Sequence, residues 1–224
     1  MKDWLKATVQ TLASKWEPIY FLLIFLLLWL QVSFFVANPS IVNSLHGPTA
    51  SLAALERFIA FRLAHITTPI YIFPSLFLLF SRVNSSWSRK YFDILGIYTI
   101  SRLVIQFIGL NLLLFTRSGI GVLLMTQLLF FIPFSLLIWG WIYWRINQLT
   151  PELSRPFFRL EHDGENPRAI DYFVASFSSI FSASISGIKG NCARARILIL
   201  LHGFMIYDVM GLTLSRAVSL TIAS

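Results

Sequence analysis

Cysteine and charged residues are scarce in this chain of 224 residues. The single cysteine, Cys192, excludes an internal disulfide framework and a thiolate metal cluster, so we expect it to be structural. Charged residues make up 12% of the sequence, about half their usual share in soluble domains, and hydrophobic residues make up 56%. This balance predicts a membrane protein.

Catalytic motifs are also missing from the sequence. There is no HExxH, no paired cysteine and no phosphate-binding loop with its lysine. Ser186-Gly187 upstream of His202-Gly203 is faintly similar to the serine and histidine of intramembrane rhomboid proteases, but Ser184 stands where their G-x-S-G motif begins. We therefore expect no enzyme activity, no cofactor and no metal.

Long apolar runs dominate what is present. They predict an all-α polytopic bundle with five transmembrane helices, because about 20 apolar residues span a bilayer. The first four spans are expected at residues 18–37, 52–81, 92–116 and 120–146, and the last follows Arg196. Pro69 and Pro74 predict a kink in the second span, and residues 82–91 predict a polar loop.

The chain divides by composition into four parts. Residues 1–16 predict an amphipathic segment on the membrane surface, and residues 17–146 form the four-helix transmembrane region. Residues 147–170 are a polar connector, in which Glu161-His162-Asp163 indicates a solvated loop rather than a metal site. Residues 171–224 contain a re-entrant hairpin and the last transmembrane helix.

The hairpin is predicted from a run that is too short and too polar to cross a bilayer. An amphiphilic, serine-rich stretch begins at Asp171, a turn follows at residues 187–190, and a long apolar helix comes next. Backbone that leaves the helix at membrane depth must be buried in protein or line a wet cavity, so this is the expected functional region. The alternative is that residues 171–187 cross, which would give six spans.

Basic residues predict the orientation of the chain. With a re-entrant hairpin, thirteen Lys and Arg residues lie on the N-terminal side and only Arg57, Arg62 and Arg117 lie opposite. The positive-inside rule then places the N-terminus, the connector and the hairpin mouth in the cytoplasm.

The hairpin resembles the pore helix, filter and inner helix of the potassium-channel superfamily, in the last quarter of the chain only. Ser176-Phe177 match the Ser-Phe pair of that pattern, Ser179 and Ser182 match its threonines, and Gly187-Ile188 match Asp-Ile. The resemblance implies a pore lined by Ser182, Ala183, Ser184, Ile185, Ser186 and Gly187.

The family's filter motif T-V-G-Y-G is not preserved in this chain. Serine and isoleucine do not reach positive φ as glycine does, so we expect a selectivity other than the potassium type. In the family the hairpin enters from the extracellular face, opposite to the face that the basic residues predict here, and both orientations remain open.

Three ionisable residues fall within predicted spans, at Arg102, His202 and Asp208. Charges at membrane depth usually pair, and Arg102 with Asp208 is the natural pair, either structural or part of an ion or proton path. His202 predicts a hydrogen-bonded packing residue, with a proton relay as the alternative. Gly203 and Gly211 predict a hinge or a close helix contact.

These features predict an integral membrane protein that is ion-channel-like, homo-oligomeric and multi-pass. One hairpin per chain cannot close a pore, which is why we expect an oligomer. The predicted partners are the lipid bilayer, further copies of the chain and an inorganic ion, but no nucleic acid. The alternative is a non-conducting membrane scaffold or assembly factor that retains the hairpin for packing.

Overall fold

The computed structural model describes residues 15–37, 45–80, 86–114, 121–149, 156–160, 167–181 and 187–223. The chain forms an all-α polytopic membrane fold. The helices are α1 (Trp16–Ala37), α2 (Pro48–Arg57), α3 (Ala64–Phe80), α4 (Ser86–Leu114), α5 (Gly121–Leu149), α6 (Ala169–Ser178) and α7 (Ala193–Ala223), with a π-helical segment at Phe58–Arg62. Two short strands, β1 (Phe158–Leu160) and β2 (Ile188–Gly190), pair antiparallel. The predicted surface segment at residues 1–16 lies almost wholly outside the described residues.

Four of the helices, α1, α4, α5 and α7, are long and apolar enough to cross a membrane. A helix of 20 residues is about 30 Å long, which matches the hydrocarbon core. Pro48–Arg62 and Ala64–Phe80 together are also long and apolar enough to cross if they are taken as one bent span, which gives up to five spans. This agrees with the predicted number of spanning helices.

The second span bends before its two prolines. Its two parts meet at 55°, at a break between Arg62 and Ala64. The π-helical segment ends there with a hydrogen bond from the Leu63 amide to the Phe58 carbonyl at 3.2 Å. The span therefore breaks at the π turn, before either proline, and a kink at Pro69 and Pro74 themselves stays a prediction. Pro69 and Pro74 lie inside α3.

The predicted polar loop at residues 82–91 was also too long. Helix α4 begins at Ser86, so its first turns include the polar residues that suggested a loop. Tyr91 and Phe92 are buried there, and Phe92 stacks on Phe21 of α1 with ring centroids 5.4 Å apart. Burial of these rings favours helix over loop.

The chain forms two compact units, residues 1–105 and 106–224, and the boundary falls within α4. In the first unit, α1 packs against α3 with Phe21 and Phe25 beside Tyr71. In the second unit, α6 packs along α5, and the strand pair lies beside the start of α7. The predicted hairpin belongs to this second unit.

Candidate functional site

Helix α6 runs back along α5 towards the middle of that helix. At its start, Tyr172 OH accepts a hydrogen bond from Asn147 Nδ2 at 2.7 Å, close to the end of α5. Further along, Ser176 Oγ donates to the Leu136 carbonyl at 2.8 Å. A helix of this length extends about 15 Å, roughly half the hydrocarbon thickness. Helix α6 is therefore too short to cross the membrane.

A glycine permits this close contact between α5 and α6. A Cβ atom added at Gly140 would lie 2.5 Å from Cδ1 and 3.0 Å from Cα of Phe173. Such distances are too short for any side chain, so α6 lies as near to α5 as backbone and ring allow. The sequence did not single out Gly140.

The strand pair holds the far end of the hairpin beside the connector. Arg159 of β1 stands opposite Lys189 of β2, and Asn147 binds Phe158 through two hydrogen bonds, at 2.8 Å to its amide and 2.7 Å to its carbonyl. The chain therefore leaves the C-terminal end of α5, runs back along α5 as α6, and returns to the same end of α5 at β2. This path is the predicted re-entrant hairpin, and it disagrees with a sixth crossing at residues 171–187.

The serine hydroxyls described in α6 and its final turn donate to backbone carbonyls. Ser178 Oγ donates to Ala175 and Ser179 Oγ to Ser176, each at 2.7 Å, while Ser176 bonds to α5. Serines commonly satisfy carbonyls in this way in membrane helices. These three serines stabilise the hairpin, and their protons are already used.

His202 of α7 lies at the inner end of α6. It is fully buried, and its Nδ1 is 2.9 Å from Tyr143 OH, while Nε2 is 3.5 Å from Ser179 Oγ. The Trp139 ring stacks on the imidazole with centroids 4.9 Å apart. Because Ser179 already donates to Ser176, the arrangement favours a proton on Nε2 and donation from Tyr143 to Nδ1. The imidazole thus connects three elements of the second unit.

The predicted filter residues Ser182, Ala183, Ser184, Ile185 and Ser186 lie outside the described residues. Gly187, the last residue of the predicted lining, has φ of 96°. That value belongs to the left-handed region, which glycine enters without steric cost. The turn into β2 therefore depends on this glycine.

Arg102 does not form the predicted ion pair with Asp208. Its Nη2 lies 2.7 Å from Glu56 Oε2, whereas Asp208 Oδ2 accepts a hydrogen bond from Asn111 Nδ2 at 2.8 Å. Charge alone therefore suggests the wrong partner for Arg102. No group of three or more possible metal ligands occurs in the described part of the chain.

Gly203 and Gly211 have no close neighbour among the described residues, since a Cβ added at either would meet nothing within 4 Å. The close helix contact predicted for them is therefore not formed within this part of the chain. A hinge, or a contact with a second copy, stays a prediction. Gly140 and Gly190 do permit close contacts, and a Cβ added at Gly190 would lie 2.8 Å from the Arg196 amide nitrogen.

Sequence reasoning missed Asn147, Tyr143 and Trp139. Asn147 was assigned to a solvated connector, although an amide directly after an apolar helix can bond to a returning chain. Tyr143 and Trp139 lie in an apolar run, which gives no sign that both rings are buried against His202. Burial raises the pKa of the Tyr172 phenol above its usual value, while the Asn147 hydrogen bond opposes the shift. This phenol therefore stays protonated in its contact with Asn147.

Comparisons with protein-family models, with curated proteins and with solved structures find no match to this chain.

Proposed function

We propose that this integral membrane protein is ion-channel-like, and that a homo-oligomer surrounds a pore lined by the re-entrant hairpin. The proposal rests on one observation. Helix α6 starts near the C-terminal end of α5, and the chain after α6 returns to that same end, where β2 pairs with β1. A hairpin that enters partway and turns back is the element with which several channels build a constriction.

The resemblance to potassium channels supports the same proposal. Ser182 to Gly187 would supply hydroxyls and carbonyls at the constriction, in place of an ordered glycine filter. Such a lining favours conduction without potassium-type selectivity. K⁺, Na⁺ and Cl⁻ are the first ions to test.

Flux into reconstituted vesicles tests conduction. We expect an ion gradient to dissipate through the wild-type protein and Ser184→Trp to reduce the rate at least tenfold. The matched control is Ser101→Trp, because Ser101 is exposed on α4 and its hydroxyl donates to the Ile97 carbonyl of the same helix. No flux of any of the three ions through folded, oligomeric protein would contradict the pore.

Cysteine labelling tests the re-entrant path separately. In a Cys192→Ser background, Ile170→Cys and Lys189→Cys place single thiols at exposed positions on either side of the hairpin. Serine can replace Cys192 as the acceptor for the Ala195 amide at the start of α7. We expect both thiols to react from the same side of the membrane. Reaction from opposite sides would show that the segment crosses.

A scaffold or assembly factor is the second candidate, and the serine contacts favour it. Ser176, Ser178 and Ser179 donate to carbonyls, so their protons stabilise the hairpin and are unavailable to a permeating ion. In that case the exposed cations of the strand pair, Arg159 and Lys189, would contact an acidic partner.

Charge reversal on the strand pair tests the scaffold. We expect Arg159→Glu with Lys189→Glu to abolish co-purification of a partner while the thermal unfolding temperature stays within a few degrees of wild type. Lys90→Glu on α4 is the matched control for an exposed cation elsewhere. A partner that remains bound to the doubly reversed protein would contradict this surface.

A further inference from the structure

A cavity of about 80 Å³ lies in the first unit, among α1, the π-helical segment, α3 and α4. Its walls are largely apolar and include Phe25 and Leu28 from α1 and Ile59 from the π-helical segment. The polar lining includes Arg102 and Tyr71. The cavity is several times larger than the roughly 10–15 Å³ that one water molecule needs. It can therefore enclose part of a ligand.

Unpaired hydrogen-bond donors distinguish this cavity from a packing defect. Arg102 is 3% exposed and Tyr71 is 2% exposed. Glu56 occupies Nη2 of Arg102, but Nε and Nη1 of Arg102 and the Tyr71 hydroxyl have no partner among the described residues. Arginine cannot shed its charge, so three N–H groups on Nε and Nη1 require acceptors. Leaving such donors buried without acceptors is costly.

The balance of donors and acceptors indicates the chemistry of the occupant. Arg102 offers only donors, and the Thr67 hydroxyl on the cavity wall already donates to the Leu63 carbonyl at 3.0 Å. One water could bridge Arg102 and the unpartnered Glu56 Oε1, but a cavity of this size holds several waters, and the other hydrogens would face apolar walls. An occupant rich in acceptors satisfies the site better.

The charge of the Arg102–Glu56 pair and the depth of Arg102 in the membrane further restrict what the occupant can be. The Glu56 carboxylate already neutralises Arg102, so a second full negative charge would be poorly compensated in apolar surroundings. Arg102 lies near the middle of α4, which is far from the headgroup region. A lipid phosphate fits neither condition, whereas a neutral carbonyl oxygen on a membrane-soluble molecule fits both.

We propose that this cavity binds the carbonyl-bearing end of a lipid-soluble molecule, with its oxygen accepting hydrogen bonds from Arg102 and Tyr71. The cavity is smaller than the 150 Å³ pocket that encloses benzene in another protein, so only the carbonyl end is enclosed. The remainder of the molecule lies beside Trp29, which lines the cavity and is 56% exposed. An acyl ester and an alkylated quinone share this chemistry.

The π-helical segment supports a binding role for the same place. Ile59 and Ala60 of this segment line the cavity, and the helix bends immediately after it. Single π turns inside helices occur frequently at functional sites, because the extra residue in the turn shifts the wall outward. Glu56, two residues before this segment, lies 2.7 Å from Arg102, so the ion pair lies next to the same segment.

Binding by purified protein in detergent is the test. The probes are methyl decanoate with a ¹³C-labelled carbonyl, a decyl-substituted benzoquinone, and decyl methyl ether, which has a similar chain but no carbonyl. Isothermal titration gives the affinity, and infrared difference spectra report hydrogen bonding through a lowered carbonyl stretching frequency. We expect a carbonyl probe to bind at least tenfold more tightly than the ether. The better of the two carbonyl probes identifies the source.

Two conservative variants test the donors. Tyr71→Phe removes one hydroxyl and Arg102→Lys keeps the cation beside Glu56 with fewer donors, and each is expected to weaken carbonyl binding about three- to tenfold. Each is also expected to reverse part of the infrared shift. Tyr172→Phe is the matched control, since it removes a hydroxyl that does not line this cavity.

Two results would overturn the proposal. One is equal affinity for the ether and both carbonyl probes, or no saturable binding of any probe. The other is unchanged affinity and an unchanged carbonyl frequency in Tyr71→Phe. Because Tyr71→Phe removes a single oxygen, this measurement remains decisive if Arg102→Lys does not fold.

Discussion

Phe173 of α6 lies directly against the backbone of Gly140 in α5, with 2.5 Å between its Cδ1 and the place that a Cβ at Gly140 would occupy. This contact brings the hairpin helix to α5 with no room for a methyl group. Further along α6, Ser176 reaches the Leu136 carbonyl. The depth of the re-entrant segment therefore depends on a glycine in a helix that the sequence marked only as apolar.

Gly140→Ala is expected to displace α6 and to destabilise the protein by about 1–3 kcal/mol, the usual cost of overpacking. Unfolding in mild detergent measures this change. Gly203→Ala is the matched control, because an added Cβ there meets nothing within 4 Å among the described residues. Equal stability of Gly140→Ala and Gly203→Ala would contradict the close contact.

Tyr91 compensates a proline in the neighbouring helix. Pro74 has no N–H, so the Ile70 carbonyl four residues earlier loses its helical donor. The Tyr91 hydroxyl lies 3.0 Å from that carbonyl, 2.9 Å from the Tyr71 carbonyl and 2.9 Å from Ser75 Oγ. A side chain from α4 thus satisfies backbone that α3 cannot satisfy itself.

We expect Tyr91→Phe to destabilise the protein by about 1–2 kcal/mol, because the Ile70 carbonyl, which has no helical donor, loses the hydroxyl. Pro74→Ala restores an N–H four residues after Ile70, so the same tyrosine substitution should cost less in that background. Equilibrium unfolding of the four proteins in this double-mutant cycle measures the difference. An identical cost of Tyr91→Phe with and without Pro74 would refute the compensation.

Apolar length was enough to predict the spanning helices. Trp16–Ala37 and Gly121–Leu149 follow the predicted spans closely, because burial in lipid demands about 20 apolar residues wherever a helix crosses. The re-entrant path was also predicted, from a serine-rich stretch too short to cross. These features depend on local composition, which the sequence displays directly.

The partners of polar residues were harder to predict. Charge predicts Asp208 as the partner of Arg102, but the partner is Glu56, which lies 46 positions earlier in the sequence. Nothing in the sequence of residues 58–62 predicts a π turn. Asn147 shows the same difficulty, since its partners Phe158 and Tyr172 come close to it only in the folded chain.

The contact between Tyr143 and His202 is expected to couple α5 to α7. Tyr143 OH lies 2.9 Å from Nδ1 of the fully buried imidazole. Hydrogen bonds between membrane helices contribute about 0.6 kcal/mol on average and up to about 1.7 kcal/mol. A double-mutant cycle of Tyr143→Phe with His202→Leu, measured by unfolding, should give a coupling in that range. A coupling near zero would mean that the imidazole only fills space.

The stability costs of substitutions at Glu56 and Arg102 are expected to be strongly non-additive. Glu56→Gln leaves the buried Arg102 guanidinium without its counter-charge, and Arg102→Met leaves Glu56 without its cation. Breaking one side of a buried pair costs about 3–5 kcal/mol, whereas replacing both sides by neutral groups of similar size is often close to neutral. Glu56→Gln with Arg102→Met should therefore be more stable than either single variant.

Equilibrium unfolding of the wild type, both single variants and the double variant measures this non-additivity. Arg57→Gln is the matched control, since Arg57 ends α2 next to Glu56 and is largely exposed. It is expected to change stability by less than about 0.5 kcal/mol. If the single costs simply add in the double variant, the pair makes no direct contact.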